Sequence, residues 1–176
     1  MKKDQWFDTR NVQVSLREPT RTDRKAFLRA VKKSRELHYP WVFPPSSQSA
    51  FDSYLERLEK SSEAGFLIVR QLDDALVGVV NLSVITYQAL CSAYTGYYAF
   101  SGYENHGYIK EGLMLVANLA FGELGLHRLE ANIQPGNQVS IELVQRLGFE
   151  REGFSPRYLK IYGEWRDHER WALLAD

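Results

Sequence analysis

The stretch from Tyr103 to Phe149 constrains this chain most, because it carries a polar loop, a helix, a strand and a second helix with each boundary marked. Glu104-Asn105-His106-Gly107-Tyr108-Ile109 leads directly into Lys110 to Glu123. Ile109, Leu113, Val116, Ala117, Ala120, Phe121 and Leu124 recur at helical spacing, so one face of that helix is buried and the loop sits at its N-terminus. A helix N-terminus offers unpaired N–H groups and the positive end of the helix dipole, for which phosphate is the usual guest. Gly125 ends the helix, and Leu129, Ala131 and Ile133 then alternate with polar residues as in a half-buried strand. Asn137 opens a second helix, Val139 to Leu147, which Gly148 closes.

The rest of the chain is enough to complete one domain around that unit. With 176 residues, 44% hydrophobic and 25% charged, it has the makeup of a soluble globular domain whose core needs neither metal nor disulfide. Lys+Arg and Asp+Glu each number 22, and zero formal net charge argues against a broad nucleic-acid footprint. Cys91, the single cysteine, excludes an intrachain disulfide, fits a reducing compartment and reads as a small packed residue. No metal-ligand spacing occurs. No apolar run follows Lys2 and Lys3, and no stretch approaches the ~18 to 20 apolar residues of a membrane helix, so a cytoplasmic protein with no membrane partner is expected.

In chain order, Val12, Val14 and Leu16 alternate as a first strand, which Pro19 ends. Thr22 or Asp23 caps a helix whose apolar face is Ala26, Phe27, Ala30 and Val31. Ser34 to Pro45 holds His38, Tyr39, Trp41 and Phe43 between prolines, too aromatic for a solvent loop and too broken for a helix. Two readings stand, a hydrophobic plug over the core and a wall of a binding pocket. Phe51, Tyr54, Leu55 and Leu58 mark a second amphipathic helix. Phe66 to Arg70 and Leu76 to Val84 read as a hairpin around Asp73-Asp74, with Gly78 marking a bulge or a close backbone approach. Tyr94 to Phe100 is the strand that feeds the polar loop, and Arg157 to Tyr162 and Trp165 to Leu173 form a last hairpin about Gly163-Glu164.

His127-Arg128-Leu129-Glu130-Ala131-Asn132, then Pro135-Gly136-Asn137-Gln138-Val139-Ser140, then Arg146-Leu147-Gly148-Phe149-Glu150-Arg151-Glu152-Gly153 give the central stretch a specific wording. Together with the loop before them, they resemble the acetyl-CoA-binding core of the GNAT N-acetyltransferases, and within it the RimJ/RimL-type enzymes that acetylate protein N-termini. Ser34-Arg35, Pro40-Trp41 and Gly163-Glu164-Trp165-Arg166-Asp167-His168 are similar to that branch as well. The resemblance covers nearly the whole chain. It implies one acetyltransferase domain over residues 1–176, with its core at about 12–174. The implied fold is mixed α/β, a central twisted, mostly antiparallel sheet splayed in the middle and flanked by helices.

Under that resemblance Phe100, Glu104, Asn105, His106, Gly107, Tyr108, Ile109, Asn137 and Ser140 are the cofactor-binding residues, and acetyl-CoA is the cofactor. The superfamily loop reads Gln/Arg-x-x-Gly-x-Gly/Ala; here Glu104 stands at the Gln/Arg position and Ile109 at the last Gly/Ala. Many relatives place a tyrosine seven residues after the asparagine to protonate the leaving thiolate, but that position is Val144. Ser140, four residues earlier on the same helix face, takes the role in the resembled branch as a hydrogen-bond donor to the sulfur. The second catalytic candidate is Glu130 as base, with Asp167 and His168 as alternatives, while a position the branch uses for a basic carboxylate falls near Leu159. His38, Tyr39 and Trp41 are the substrate-binding candidates.

The implied activity is direct acetyl transfer to a primary amine, with no covalent acyl-enzyme. The implied acceptor is the N-terminal α-amine of a protein, a ribosomal protein by analogy with the branch. A small-molecule amine such as a polyamine or aminoglycoside is the alternative acceptor, and a non-catalytic CoA-binding module the alternative class. A homodimer is one assembly that the resemblance leaves open.

Overall fold

The structure, a computed structural model, describes residues 6–175. The lysines on which the targeting expectation rested lie outside the described residues; among those described, no helix is long and apolar enough to cross a membrane.

Seven strands form one sheet: β1 (Val14–Arg17), β2 (Ala64–Arg70), β3 (Leu76–Thr86), β4 (Ser92–Ala99), β5 (Arg128–Ile133), β6 (Glu150–Ile161) and β7 (Glu164–Leu174), in the order β1-β2-β3-β4-β5-β7-β6. Every neighbouring pair is antiparallel except β4 and β5. The parallel pair is joined only over Ser92–Tyr94 against Arg128–Glu130, and beyond it the two strands part. β4 follows β3 to its end, where the Phe100 N–H donates to Val77 O at 2.9 Å. β5 instead pairs with β7 along its whole length, Arg128 opposite Leu174 through Ile133 opposite Glu169. The sheet is therefore open in its middle.

Helices cover both faces. On one, α4 (Tyr108–Gly122) and α5 (Gln138–Arg146) bury Leu113, Val116, Ala117, Ile141 and Val144 against Ile68, Val80, Leu129 and Ala131. On the other, α1 (Arg24–Lys33) and α3 (Gln48–Leu58) pack Phe27, Val31, Phe51 and Tyr54 on Leu67, Val69, Val79 and Phe100. The period-2 alternation of β4 places Tyr97 on the α5 side and Tyr98 on the α1 side. A 3-10 turn, Arg21–Asp23, precedes α1, and the Asp23 carboxylate receives the Thr20 N–H and the Arg17 guanidinium.

Three segments differ from the sequence expectation. α4 begins at Tyr108, two residues before Lys110, because Gly107 at φ 83° turns the chain into the helix at once. The Ser34–Pro45 segment contains one short helix, α2 (Arg35–His38), before the prolines break it. β6 starts at Glu150, directly after Phe149, and tolerates its early polar residues because it is an edge strand with two register shifts. The β6–β7 turn is Tyr162-Gly163, at φ 49° and 81°, the doubly left-handed pair that matches strand twist.

Gly78 marks both features expected of it. β3 slips register there, Ile68 pairing with Gly78 and Val69 with Leu76. A side chain at residue 78 would run into the Ile109 side chain and come within 2.7 Å of the Tyr98 carbonyl oxygen. Gly78→Ala is expected to lower unfolding free energy by about 1 to 3 kcal/mol in urea denaturation, because a backbone atom cannot move aside. An unchanged midpoint would rule out the close approach.

Candidate active site

The loop from Ser101 to Gly107 closes the end of β4 and starts α4. Its first residue is anchored from outside, the Ser101 N–H donating to Ser34 Oγ at 2.8 Å. Glu104 turns its carboxylate back on the chain behind it, accepting from the Gly102 N–H at 2.6 Å. Hydrogen bonding from its own backbone N–H, then from those of Gly102 and Tyr103, lowers its pKa. Asn105 adopts φ 63°, and the His106 ring is braced by Nδ1, which donates to the Glu104 carbonyl at 2.8 Å, and by stacking on Tyr108. No side chain caps the start of α4, and a Cβ on Gly102 or Gly107 would meet nothing within 4 Å. The loop thus presents main-chain N–H groups at a helix N-terminus to open space, with its one carboxylate turned away. Ile109 points into the sheet over Gly78, so its bulk is spent in the core rather than on the loop.

Phe100 belongs to the core and not to the cofactor-binding set. Its ring is 1% exposed and edge-on to Phe27, its N–H is bonded to Val77, and its carbonyl accepts from Tyr103.

On the α5 side of the gap, Asn137 caps α5, its Oδ1 accepting from the Ser140 N–H at 3.3 Å. Ser140 is partly exposed in the first turn, and its Oγ lies 2.8 Å from the Tyr97 hydroxyl on β4. Burial pushes the Tyr97 phenol above its ordinary value, opposed by its bond to Ser140. Val144, further along α5, is fully buried. Thr95, two residues before Tyr97 on the same face, has a buried Oγ1 with no hydrogen-bond partner where β4 leaves β5. Gly96, between them, is exposed and has open space where a Cβ would be.

Across the sheet lies the expected substrate side. His38 is not on its surface: the ring is 3% exposed, edge-on to Tyr98, and Nε2 donates to the Ala99 carbonyl at 2.8 Å. Its contribution is to hold the end of β4. Tyr39 is exposed, and Trp41 lies against Gly136 in the loop before α5. Gln134 Nε2 ties that loop to the Pro40 carbonyl at 2.9 Å, and Tyr39 and Phe43 both meet the Tyr162 ring at 5.0 Å. The aromatic segment after α2 therefore bridges β5 to the tip of the β6–β7 turn.

Glu130 faces this side, opposite Tyr94 at the last β4–β5 pair, and is held at 2.9 Å by the Arg128 guanidinium, which also bonds Glu152. The Tyr94 phenol is pushed up to about 12 by the neighbouring Tyr158 hydroxyl and by burial. The Asp167 carboxylate accepts from the Arg157 N–H at 2.7 Å, and His168 is buried with Nδ1 donating to Arg166 O at 2.9 Å. Tyr97 is the site residue missed from sequence. Its inward parity on β4 was readable, but its partner lies 43 residues away.

A family model described as an acetyltransferase (GNAT) domain matches residues 13–150. The chain belongs to the GNAT acetyltransferases. The probable N-acetyltransferase YjcK of Bacillus subtilis is 40% identical over 121 residues, 69% of this chain and 67% of that protein. The ribosomal protein uS5-alanine N-acetyltransferase of Escherichia coli is 29% identical over 161 residues, 86% of this chain and 83% of that protein. Among solved structures, Mycobacterium smegmatis RimJ in complex with CoA-disulfide superposes with a TM-score of 0.84 at 28% identity, over 92% of this chain and 82% of that one. The GNAT chain described here thus resembles RimJ and the uS5-alanine acetyltransferases, and acetyl-CoA is the cofactor this kinship supports.

The residues present fit that cofactor. The uncapped N-terminus of α4 has open space beside Gly107 for a pyrophosphate, and a buried, unpartnered Thr95 hydroxyl stands where β4 leaves β5. When bound, acetyl-CoA would supply an activated acetyl thioester.

The buried histidines set a pH dependence. Burial lowers the pKa of His38 and of His168 below 6.5 in the fold. As pH falls through 6.5 the unfolded chain takes up protons that the native state refuses, so stability is full above that pH and declines below it. Melting temperature is expected to be level from pH 8 to about 7 and to fall toward pH 5, less steeply in His38→Gln. A flat curve over that range would contradict the burial of both rings.

Proposed function

We propose that this enzyme transfers acetyl from acetyl-CoA to the N-terminal α-amine of a protein, in the cytoplasm, with a ribosomal protein as the natural acceptor. The kinship with uS5-alanine acetyltransferase and RimJ supports the substrate class. The observation that carries it is the charge on the acceptor side. Glu130 and Glu152 share Arg128, Asp167 accepts from the Arg157 N–H, and Glu164 pairs with Arg166 at 2.6 Å. A polycation would need clustered unpaired carboxylates. The wall formed by Tyr39, Trp41 and Phe43 suits instead a chain end with one amine and apolar flanks.

The chemistry asks little of a base. An α-amine has a pKa near ~8 and is partly neutral at pH 7, whereas a lysine near ~10.4 is almost wholly charged. In this reading Glu130, at the fork of β4 and β5, orients the incoming amine and receives its proton directly or through water. Loop amides at 105–110 bind the diphosphate, Asn137 meets the pantetheine arm, and the Ser140 hydroxyl donates to the sulfur as the C–S bond breaks.

Incubation with labelled acetyl-CoA and peptides of varied N-termini should give N-terminal acetylation, fastest with small first residues such as alanine or serine. Transfer only to a polyamine or aminoglycoside would overturn the acceptor assignment, and CoA binding without turnover on any amine would overturn the enzyme. Ser140→Ala is expected to lower kcat by about 10- to 100-fold while changing acetyl-CoA affinity by less than about threefold. A mutant with wild-type turnover would remove Ser140 from the mechanism.

A further inference from the structure

We infer that Tyr97 is a positioning residue for the reaction: its phenol donates to Ser140 Oγ and thereby aims the serine's own hydrogen at the thioester sulfur. This rests on the acetyl-CoA reading above. The geometry is specific. Both hydrogen-bond partners of the Tyr97 hydroxyl lie on Ser140, the Oγ at 2.8 Å and the carbonyl oxygen at 3.5 Å. If Ser140 were the donor in the shorter contact, the phenolic hydrogen would be left with only the longer one. With Tyr97 donating, Ser140 Oγ accepts on one side and its single hydrogen is free for the gap.

Without that partner a serine in the first turn of a helix rotates its hydroxyl toward nearby backbone carbonyls. The Asn137 cap holds the Ser140 main chain through its N–H but does nothing for the hydroxyl. Tyr97 supplies the missing constraint from another element. It stands on β4 beyond the last β4–β5 pair, on the same face as Thr95, so the dyad spans the mouth of the gap from strand to helix. It also answers the loss of the phenol at Val144. A tyrosine is present at the site after all, reached from the strand rather than from the helix, and acting through the serine.

The step balances without ionising the phenol. The amine nitrogen forms the new C–N bond, the C–S electron pair passes to sulfur, and Ser140 Oγ–H donates to it. The amine's proton leaves to Glu130 or water, and Tyr97 keeps its own. Burial, which raises the Tyr97 phenol, favours this neutral donor over a phenolate.

Three measurements test it. In the ligand-free protein, with ring-carbon-labelled tyrosine and the Tyr97 signal assigned by its loss in Tyr97→Phe, Ser140→Ala should shift that signal. In the binary complex with CoA, ultraviolet absorbance of the thiolate gives the thiol's ionisation midpoint, which should rise by about one pH unit in Tyr97→Phe and in Ser140→Ala alike. Turnover should fall about tenfold in Tyr97→Phe with KM for acetyl-CoA within about twofold, and the double variant should be no worse than Ser140→Ala. A thiol midpoint unmoved in Tyr97→Phe, or a ring signal unmoved by Ser140→Ala, overturns the inference. The ring signal decides even if Tyr97→Phe folds poorly, since the resonance can then be assigned through selective labelling. Absence of CoA binding in calorimetry would instead take down the cofactor reading itself, a separate result from bound CoA with an unchanged midpoint.

Discussion

Everything at this site depends on two neighbouring strands being committed to different partners. β4 follows β3 as far as the Phe100 N–H, while β5 is paired with β7 along all six of its residues. The parallel contact between them lasts three residues and then fails. Backbone polar groups that leave a ladder must find water or a ligand. The gap is therefore a site for an extended molecule before any side chain is considered. His38 reinforces it by holding the Ala99 carbonyl, which keeps the end of β4 from closing toward β5.

The same parting explains why chemistry from both faces meets there. Residues alternate along a strand, so a sheet without a gap would separate Ser140 and Tyr97 on the α5 side from Glu130 and the Tyr39–Trp41 wall on the other. Where β4 and β5 diverge, a thioester entering from the helix side and an amine entering from the other can meet. Gly96 keeps the opening clear, since a side chain there would occupy space the structure leaves empty.

Departures from the family loop are absorbed locally. A carboxylate at Glu104 would repel phosphate, yet it is bonded to the Gly102 N–H behind it, and backbone N–H groups favour its ionised form in that position. Ile109 replaces a small residue, and its bulk is taken up over Gly78, where β3 lacks a side chain. One substitution is compensated by a hydrogen bond, the other by a missing Cβ on another strand.

Local periodicity gave the order of elements, the polar loop at the head of α4, and Asn137 and Ser140 in the first turn of α5, because helix and strand spacing and caps are properties of near neighbours. The family resemblance, not periodicity, exposed the missing phenol at Val144. Burial is harder to read: His38 and Phe100 carry polar or aromatic chemistry suited to a pocket, yet His38 packs on Tyr98 and Phe100 on Phe27, contacts between distant segments that no local spacing encodes. The first half of β6 carries little signal in the sequence because an edge strand buries little and shows little alternation. Near-neighbour chemistry alone fixes which side chains share a face and the order in which the elements follow one another. Only the tertiary structure decided that β4 and β5 separate after Tyr94 and Glu130, and that Tyr97 reaches Ser140, since both depend on hydrogen bonds made far along the chain.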